Sequence, residues 1–116
     1  MNTMINFFKK KTKGYENIST DVFQQKLVDD PNAVLIDVRT EAEYKEGYIP
    51  GTLLIDYKAS GFRDKIEELD KSKNYYLYCR SGARSASACR IMAENGFKEL
   101  YNLSGGILGW DGAVEK

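Results

Sequence analysis

The chain has 116 residues, a length that suits one domain with a normal hydrophobic core. Lys and Arg together number 17, as do Asp and Glu, so the net charge is zero and bulk charge indicates no nucleic acid or other polyanion as a partner. The sequence has two cysteines and no histidine, which excludes a disulfide framework, the usual zinc sites and catalysis by a Cys-His or Ser-His pair.

Residues 1–14 carry two phenylalanines followed by four lysines, and we interpret them as a short basic leader. We favour a solvated segment over one that binds an anionic membrane, because its apolar part is so short. No apolar run approaches the ~18 residues of a membrane span, and the N-terminus lacks the apolar core of a secretion signal. We therefore expect a cytoplasmic protein whose cysteines stay reduced.

The domain that follows, residues 15–116, starts with a predicted strand and helix. Asn17 and Ile18 form the brief strand, and Ser19 is a typical helix N-cap. The helix extends to about residue 28. Its periodicity places four apolar residues on one face: Val22, Phe23, Leu27 and Val28.

The next segment predicts a buried strand, a short helix and another strand. Residues 33–38 are an apolar run, rich in β-branched residues, that contains one charged residue, Asp37, and the run is typical of a strand buried on both faces of a parallel sheet. Thr40 and Glu43 have the spacing of a capping box, which opens a helix that ends near Gly47. Residues 52–55 predict the following strand.

A second strand with buried character lies in the middle of the chain. Before it, residues 62–69 predict an amphipathic helix with Phe62, Ile66 and Leu69 facing inward. The aromatic and apolar run 75–78 predicts the strand itself. We interpret its three tyrosines as core packing and not as a platform for nucleic acid bases: Tyr75, Tyr76 and Tyr78.

The last third predicts a helix over 85–95 that ends at Gly96, a short strand over 100–103, and a final helix carrying Trp110. Short strands that alternate with helices predict an α/β fold, with a central parallel sheet and helices on both faces. Ligands of such folds bind at the carboxyl ends of the strands, where Cys79 lies.

The sharpest signal is the Cys79 loop, residues 79–85, which joins the strand 75–78 to the next helix. After the cysteine it contains only small and basic residues: Arg80, Ser81, Gly82, Ala83, Arg84 and Ser85. Backbone N–H groups, a helix N-terminus and two arginines all stabilise a thiolate. We therefore expect Cys79 to be a nucleophile, against the alternative of a buried structural thiol.

The second cysteine, Cys89, is ten residues further along the chain, on the inward stripe of the helix 85–95. A disulfide needs the two Cα atoms within about 7 Å, and a helix rises ~1.5 Å per residue. A bridge to Cys79 would require the helix to unravel, so we predict that Cys89 is part of the core.

Three segments, in this order, resemble the small single-domain form of the rhodanese family. They are Leu35-Ile36-Asp37-Val38-Arg39 with its continuation through residue 52, the Cys79 loop, and the closing segment Gly105-Gly106-Ile107-Leu108-Gly109-Trp110. Tyr48 is one departure, because the family usually has histidine before Ile-Pro-Gly.

The resemblance implies a rhodanese-like fold, with a central parallel sheet of about five strands, and sulfurtransferase chemistry. The cysteine thiolate of the family attacks the outer sulfur of a donor such as thiosulfate, releases sulfite and becomes a persulfide. The sulfur then passes to cyanide or to a thiol, which can belong to a protein. This chemistry needs no metal and no cofactor.

The remaining site residues have a functional and a structural interpretation. Arg80 and Arg84 are both expected to hold the anionic donor and to stabilise the leaving sulfite and the persulfide. The alternative is that they are surface arginines or form an ion pair to Asp37 or another acid. Both interpretations can hold for Arg84, which the resemblance implies braces the loop, whereas Arg80 is expected to point to solvent and to steer the donor. Ser85 either caps the helix or contacts substrate. Asp37 and Arg39 are expected to support the site through a structural salt bridge.

Three other functions are possible for a loop of this type. The cysteine-dependent phosphatases place one residue more between cysteine and arginine than the four found here, and this loop contains no acidic residue to act as general acid. A non-catalytic rhodanese-like binding module commonly lacks the cysteine, which this chain keeps. A thiol-based arsenate reductase would need a partner thiol that the sequence does not reveal.

Overall fold

Five strands form one parallel sheet in the computed structural model of this chain, which describes residues 14–116. In chain order the strands are β1 Glu16–Ile18, β2 Ala33–Asp37, β3 Thr52–Leu54, β4 Asn74–Tyr78 and β5 Glu99–Leu103. Their order across the sheet is β1-β5-β4-β2-β3, and every neighbouring pair is parallel. The predicted α/β fold with a five-stranded parallel sheet is confirmed, and β4 lies at its centre.

Helices cover both faces of the sheet, as predicted. They are α1 Thr20–Asp29, α2 Glu41–Lys45, α3 Phe62–Glu67 and α4 Ala83–Glu94, followed by a 3₁₀ turn, Ile107–Gly109. Phe62 of α3 and Met92 of α4 pack with Leu77 of β4 on one face. Phe23 of α1 packs with Tyr76 on the other, where Trp110 lies edge-on to Phe23.

The helix ends that were predicted from short motifs are present. The Ser19 side chain accepts from a backbone N–H of α1, and Thr40 and Glu43 form the complete capping box of α2. Helix α4 ends in a Schellman motif, in which Gly96 has a positive φ and Phe97 donates its N–H to the Met92 carbonyl. The three tyrosines of β4 are buried in the core, also as predicted.

Three predictions about the elements are wrong. Val22 and Val28 are exposed, Val28 by 77%, because α1 presents only a narrow stripe to the sheet, with Phe23 at its centre. Trp110 is not helical: the 3₁₀ turn ends at Gly109, and the extended backbone of Trp110 directs its ring to α1. Helix α4 begins at Ala83, two residues before the predicted start, because Gly82 adopts a positive φ and serves as its N-cap.

Apart from Gly14, the basic leader predicted for residues 1–14 lies outside the described residues. Within the described part of the chain, no helix has the length and apolar character to cross a bilayer.

Candidate active site

Cys79 directly follows the central strand β4 and begins the loop that leads into α4. Strand β4 is buried between two layers of side chains, so it delivers the cysteine to the carboxyl edge of the sheet from a fixed position. The thiol is free, and the residue is 1% exposed. Gly82 is the N-cap of α4 with a φ of 107°, a conformation that favours glycine and lets the chain enter the helix at Ala83.

Two residues of the loop direct hydrogen-bond donors at the Cys79 sulfur. Gly82 donates its backbone N–H to Sγ at 3.1 Å, and Ser85 donates its backbone N–H at 3.4 Å. The Ser85 hydroxyl lies 3.3 Å from the same sulfur. Ser85 is buried in the first turn of α4, so its interpretation as the helix cap is wrong: Gly82 occupies that position.

These donors change the ionisation of the thiol. Burial is the largest single influence on Cys79 and opposes its ionisation. Hydrogen bonds from the Ser85 side chain and from the backbone N–H groups of Ser85, Gly82 and Ser81 outweigh it, and the pKa of Cys79 is lowered from its ordinary value. The thiolate, which is the nucleophilic form, is therefore more populated at neutral pH than in a free cysteine.

The closing segment, residues 105–110, forms backbone hydrogen bonds to the start of the Cys79 loop. Ile107 donates its backbone N–H to the Cys79 carbonyl at 2.9 Å, and Leu108 donates to the Arg80 carbonyl at 3.1 Å. In a trans peptide the C=O and N–H groups point in opposite directions. Because the Arg80 carbonyl is held by Leu108, the Ser81 N–H of the same peptide faces the sulfur side, consistent with its effect on the Cys79 pKa.

Gly106 makes this contact possible, because it packs directly on the peptide between Arg80 and Ser81. A Cβ atom at residue 106 would lie 2.3 Å from the Arg80 carbonyl oxygen, which is too close for any side chain. Its φ of 64° also favours glycine. The Gly105-Gly106 pair is thus part of the structure that shapes the Cys79 loop.

The two arginines of the loop differ in their surroundings. Arg80 is exposed, as predicted. Arg84 forms two hydrogen bonds to the carboxylate of Glu43 in α2, both at 2.8 Å. Hydrogen bonding to Arg84 is the main reason that the pKa of Glu43 is lowered to about 2. The partner of Arg84 is therefore Glu43 and not Asp37; the capping box identifies Glu43 as a helix-starting residue, but no sequence signal links it to Arg84.

The expected salt bridge between Asp37 and Arg39 is present and buried. Arg39 Nη2 lies 2.7 Å from Asp37 Oδ2 and donates to the Gly47 carbonyl at 2.7 Å. Its guanidinium also lies over the ring of Tyr78 in β4, 5.6 Å from the centroid. These contacts fix the end of β2 beside the strand that carries Cys79.

Cys89 lies in the core beside Met92, as predicted, and is fully buried. Burial raises the pKa of its thiol, which keeps it in the protonated, unreactive form. Within residues 14–116, no group of three or more Cys, Asp or Glu side chains has the arrangement of a metal site.

The family model for the rhodanese-like domain matches residues 19–113. The chain belongs to the rhodanese family. Residues 105–110, which brace the Cys79 loop, lie within the matched range.

Relatives of the chain have names that refer to sulfur transfer. The "Sulfurtransferase" of Allochromatium vinosum is 37% identical over 93 residues, which cover 80% of this chain and 85% of that protein. "Putative sulfurtransferase YtwF" of Bacillus subtilis is 40% identical over 100 residues, covering 86% and 94%. The crystal structure of a rhodanese-like domain protein from Staphylococcus aureus is 33% identical, with a TM-score of 0.75 over 85% of this chain and 95% of that one. Together they support an enzyme of the rhodanese family with a role in sulfur transfer.

Tyr48, which stands where rhodaneses usually have histidine, packs against α2 and the C-terminal residues. Its ring stacks on Tyr44 of α2, with centroids 4.2 Å apart. Its backbone forms a two-way hydrogen-bonded bridge with Glu115 near the end of the chain. The substitution therefore affects the contact between α2 and the C-terminal residues.

Proposed function

We propose that this rhodanese transfers the outer sulfur of a small anionic donor, such as thiosulfate, to cyanide or a thiol through a persulfide on Cys79. The observation that carries the proposal is the set of donors from Gly82 and Ser85 that converge on one buried sulfur. A protein thiol is a further acceptor of the same chemical class. A cytoplasmic location, which keeps the thiol reduced, is part of the proposal.

The reaction has two displacements, and each breaks one sulfur–sulfur bond. The Cys79 thiolate attacks the outer sulfur of thiosulfate, and sulfite leaves with the bonding electron pair. The acceptor then attacks the terminal sulfur of the persulfide, and the electron pair returns to Cys79 as thiolate. With cyanide as acceptor the product is thiocyanate. The loop N–H groups stabilise negative charge on sulfur before and after each step, as an oxyanion hole does for oxygen.

The chain also suggests how the anionic donor is attracted. Arg84 is held by Glu43, whose carboxylate offsets its charge. Arg80 is exposed next to Cys79, and its backbone carbonyl is fixed by Leu108. We therefore assign donor steering to Arg80 and bracing of the loop to Arg84.

A steady-state assay of thiosulfate and cyanide tests this assignment. Arg80→Ala is expected to raise the KM for thiosulfate about five- to tenfold with a small change in kcat, because a charge-assisted contact to the donor is lost. Arg90→Ala, which removes an exposed arginine of α4, is the matched control and should leave KM unchanged. An unchanged KM in Arg80→Ala would show that Arg80 is only a surface charge.

A further inference from the structure

Asn102 is a buried amide of β5 that contacts the Cys79 loop from the neighbouring strand. It is 2% exposed and pairs in register with Leu77 of β4. Its Nδ2 group donates to the Gly82 carbonyl at 3.2 Å and to Asn17 Oδ1 at 2.9 Å. Its own Oδ1 has no hydrogen-bond partner among the described residues. An unpaired buried oxygen destabilises a fold, so the favourable contacts of this amide are those of its Nδ2 group.

The Gly82 carbonyl has more neighbouring donors than it can accept. Ala86 donates its N–H at 3.1 Å as the first bond of α4, and Asn102 donates at 3.2 Å. The Ser85 hydroxyl lies 3.3 Å from the same oxygen. A carbonyl oxygen has two lone pairs, so Ala86 and Asn102 together fill it.

The Ser85 hydroxyl, in contrast, has one hydrogen and two acceptors within reach. Its oxygen lies 3.3 Å from the Gly82 carbonyl and 3.3 Å from Cys79 Sγ. The hydrogen can be donated to only one of them at a time. We propose that Asn102 is a positioning residue: by occupying the Gly82 carbonyl, it directs the Ser85 hydroxyl hydrogen to the Cys79 sulfur.

This inference deepens the proposed function and rests on it only in taking Cys79 to react as a thiolate. A hydrogen bond from Ser85 stabilises the thiolate and the persulfide anion, whereas a hydrogen bond from Ser85 to Gly82 does neither. The readout is the ionisation of the thiol, measured without any sulfur donor. A failure of sulfur transfer and a failure of this inference are therefore distinguishable.

The experiment measures the rate at which iodoacetamide alkylates Cys79 as a function of pH, followed on the Cys79 peptide by mass spectrometry. Four proteins form a double-mutant cycle: wild type, Asn102→Leu, Ser85→Ala and the double variant. Leucine removes the amide donor and has a similar size, so water does not take its place. If Asn102→Leu does not fold, Asn102→Val, whose β-branched side chain suits a strand, replaces it in the cycle.

We expect Asn102→Leu to slow alkylation by about three- to tenfold at a pH below the midpoint, and to raise the midpoint, because Ser85 turns to the vacated carbonyl. In the Ser85→Ala background the same change should have less than about a twofold effect. Asn17→Ala breaks the other hydrogen bond of the Asn102 amide and is the control for structural loss; its midpoint should equal that of wild type. A folded Asn102 variant with an unchanged midpoint, or an equal shift in both backgrounds, would overturn the proposal.

Discussion

Arg84 and Glu43 form a bidentate ion pair that joins the first turn of α4 to α2, with both hydrogen bonds at 2.8 Å. The same carboxylate accepts the backbone N–H of Thr40 at 3.0 Å and so completes the capping box of α2. One glutamate therefore starts one helix and braces the Cys79 loop at the start of another.

This pairing predicts a specific acid sensitivity. Because the pKa of Glu43 is lowered from 4.5 to about 2 in the folded state, its contribution to stability is complete above about pH 4.5 and is lost as the pH falls toward 2. Glu43→Gln should lower the free energy of unfolding by about 1 kcal/mol at pH 7 and show a smaller further loss between pH 4.5 and 2 than wild type does. Urea unfolding across this range measures both.

Glu41→Gln is the matched control for Glu43→Gln. Glu41 pairs with Lys45 in the same helix, but both side chains are 72% exposed. Its loss should hardly change stability at either pH. Equal effects of the two substitutions would contradict the role given to Glu43.

The two glycines of the closing segment predict different outcomes. Gly106→Ala places a Cβ atom against the Arg80 peptide, and should destabilise the protein by about 3 kcal/mol or more and abolish most sulfur transfer. Gly105→Ala meets no atom within 4 Å, so only its φ of 87° is strained; a loss of about 1 kcal/mol with activity retained is expected. Thermal unfolding and the sulfur-transfer assay separate the two. Full activity in a folded Gly106→Ala variant would refute the bracing of the loop.

The hydroxyl of Ser85 predicts a pH effect on the reactivity of Cys79. Removal of this donor in Ser85→Ala should raise the pKa of the thiol, because the hydrogen bond from Ser85 is the main influence that lowers it. Alkylation should be about tenfold slower at a pH below the midpoint and equal to wild type well above it. Ser87→Ala in the same helix is the control. A parallel loss of rate at every pH would instead indicate a distorted site.

The buried position of Cys89 predicts that it takes no part in the reaction. Cys89→Ala should keep the kcat and KM of sulfur transfer while it lowers the free energy of unfolding by about 1 kcal/mol, since it leaves a small cavity beside Met92. The assay and urea unfolding check both statements. A large fall in kcat with little change in stability would assign Cys89 a role that its burial argues against.

The parts of the molecule that the sequence predicts well are those specified by short stretches of chain. The aromatic run of β4, the capping box at Thr40 and the glycine at the end of α4 each depend on residues a few positions apart. The same holds for Gly82 and Ser85, which are close to Cys79 in sequence and donate hydrogen bonds to its sulfur.

Contacts between distant segments are what the sequence does not reveal. Arg84 and Glu43 are 41 positions apart, and Asn102 and Gly82 are 20 apart. Their meeting depends on the order of the strands, which places β2 on one side of β4 and β5 on the other. Val28 illustrates a different limit: helical periodicity defines a face, but not how much of that face the sheet covers.

The most direct test of the central claim is the intact mass of the protein after incubation with thiosulfate, for wild type and Cys79→Ser. We predict that wild type gains the mass of one sulfur atom, that cyanide removes it, and that Cys79→Ser gains none while retaining its fold. Equal sulfur uptake by the Cys79→Ser variant, or no uptake by wild type from thiosulfate, would contradict a thiosulfate-dependent persulfide on Cys79.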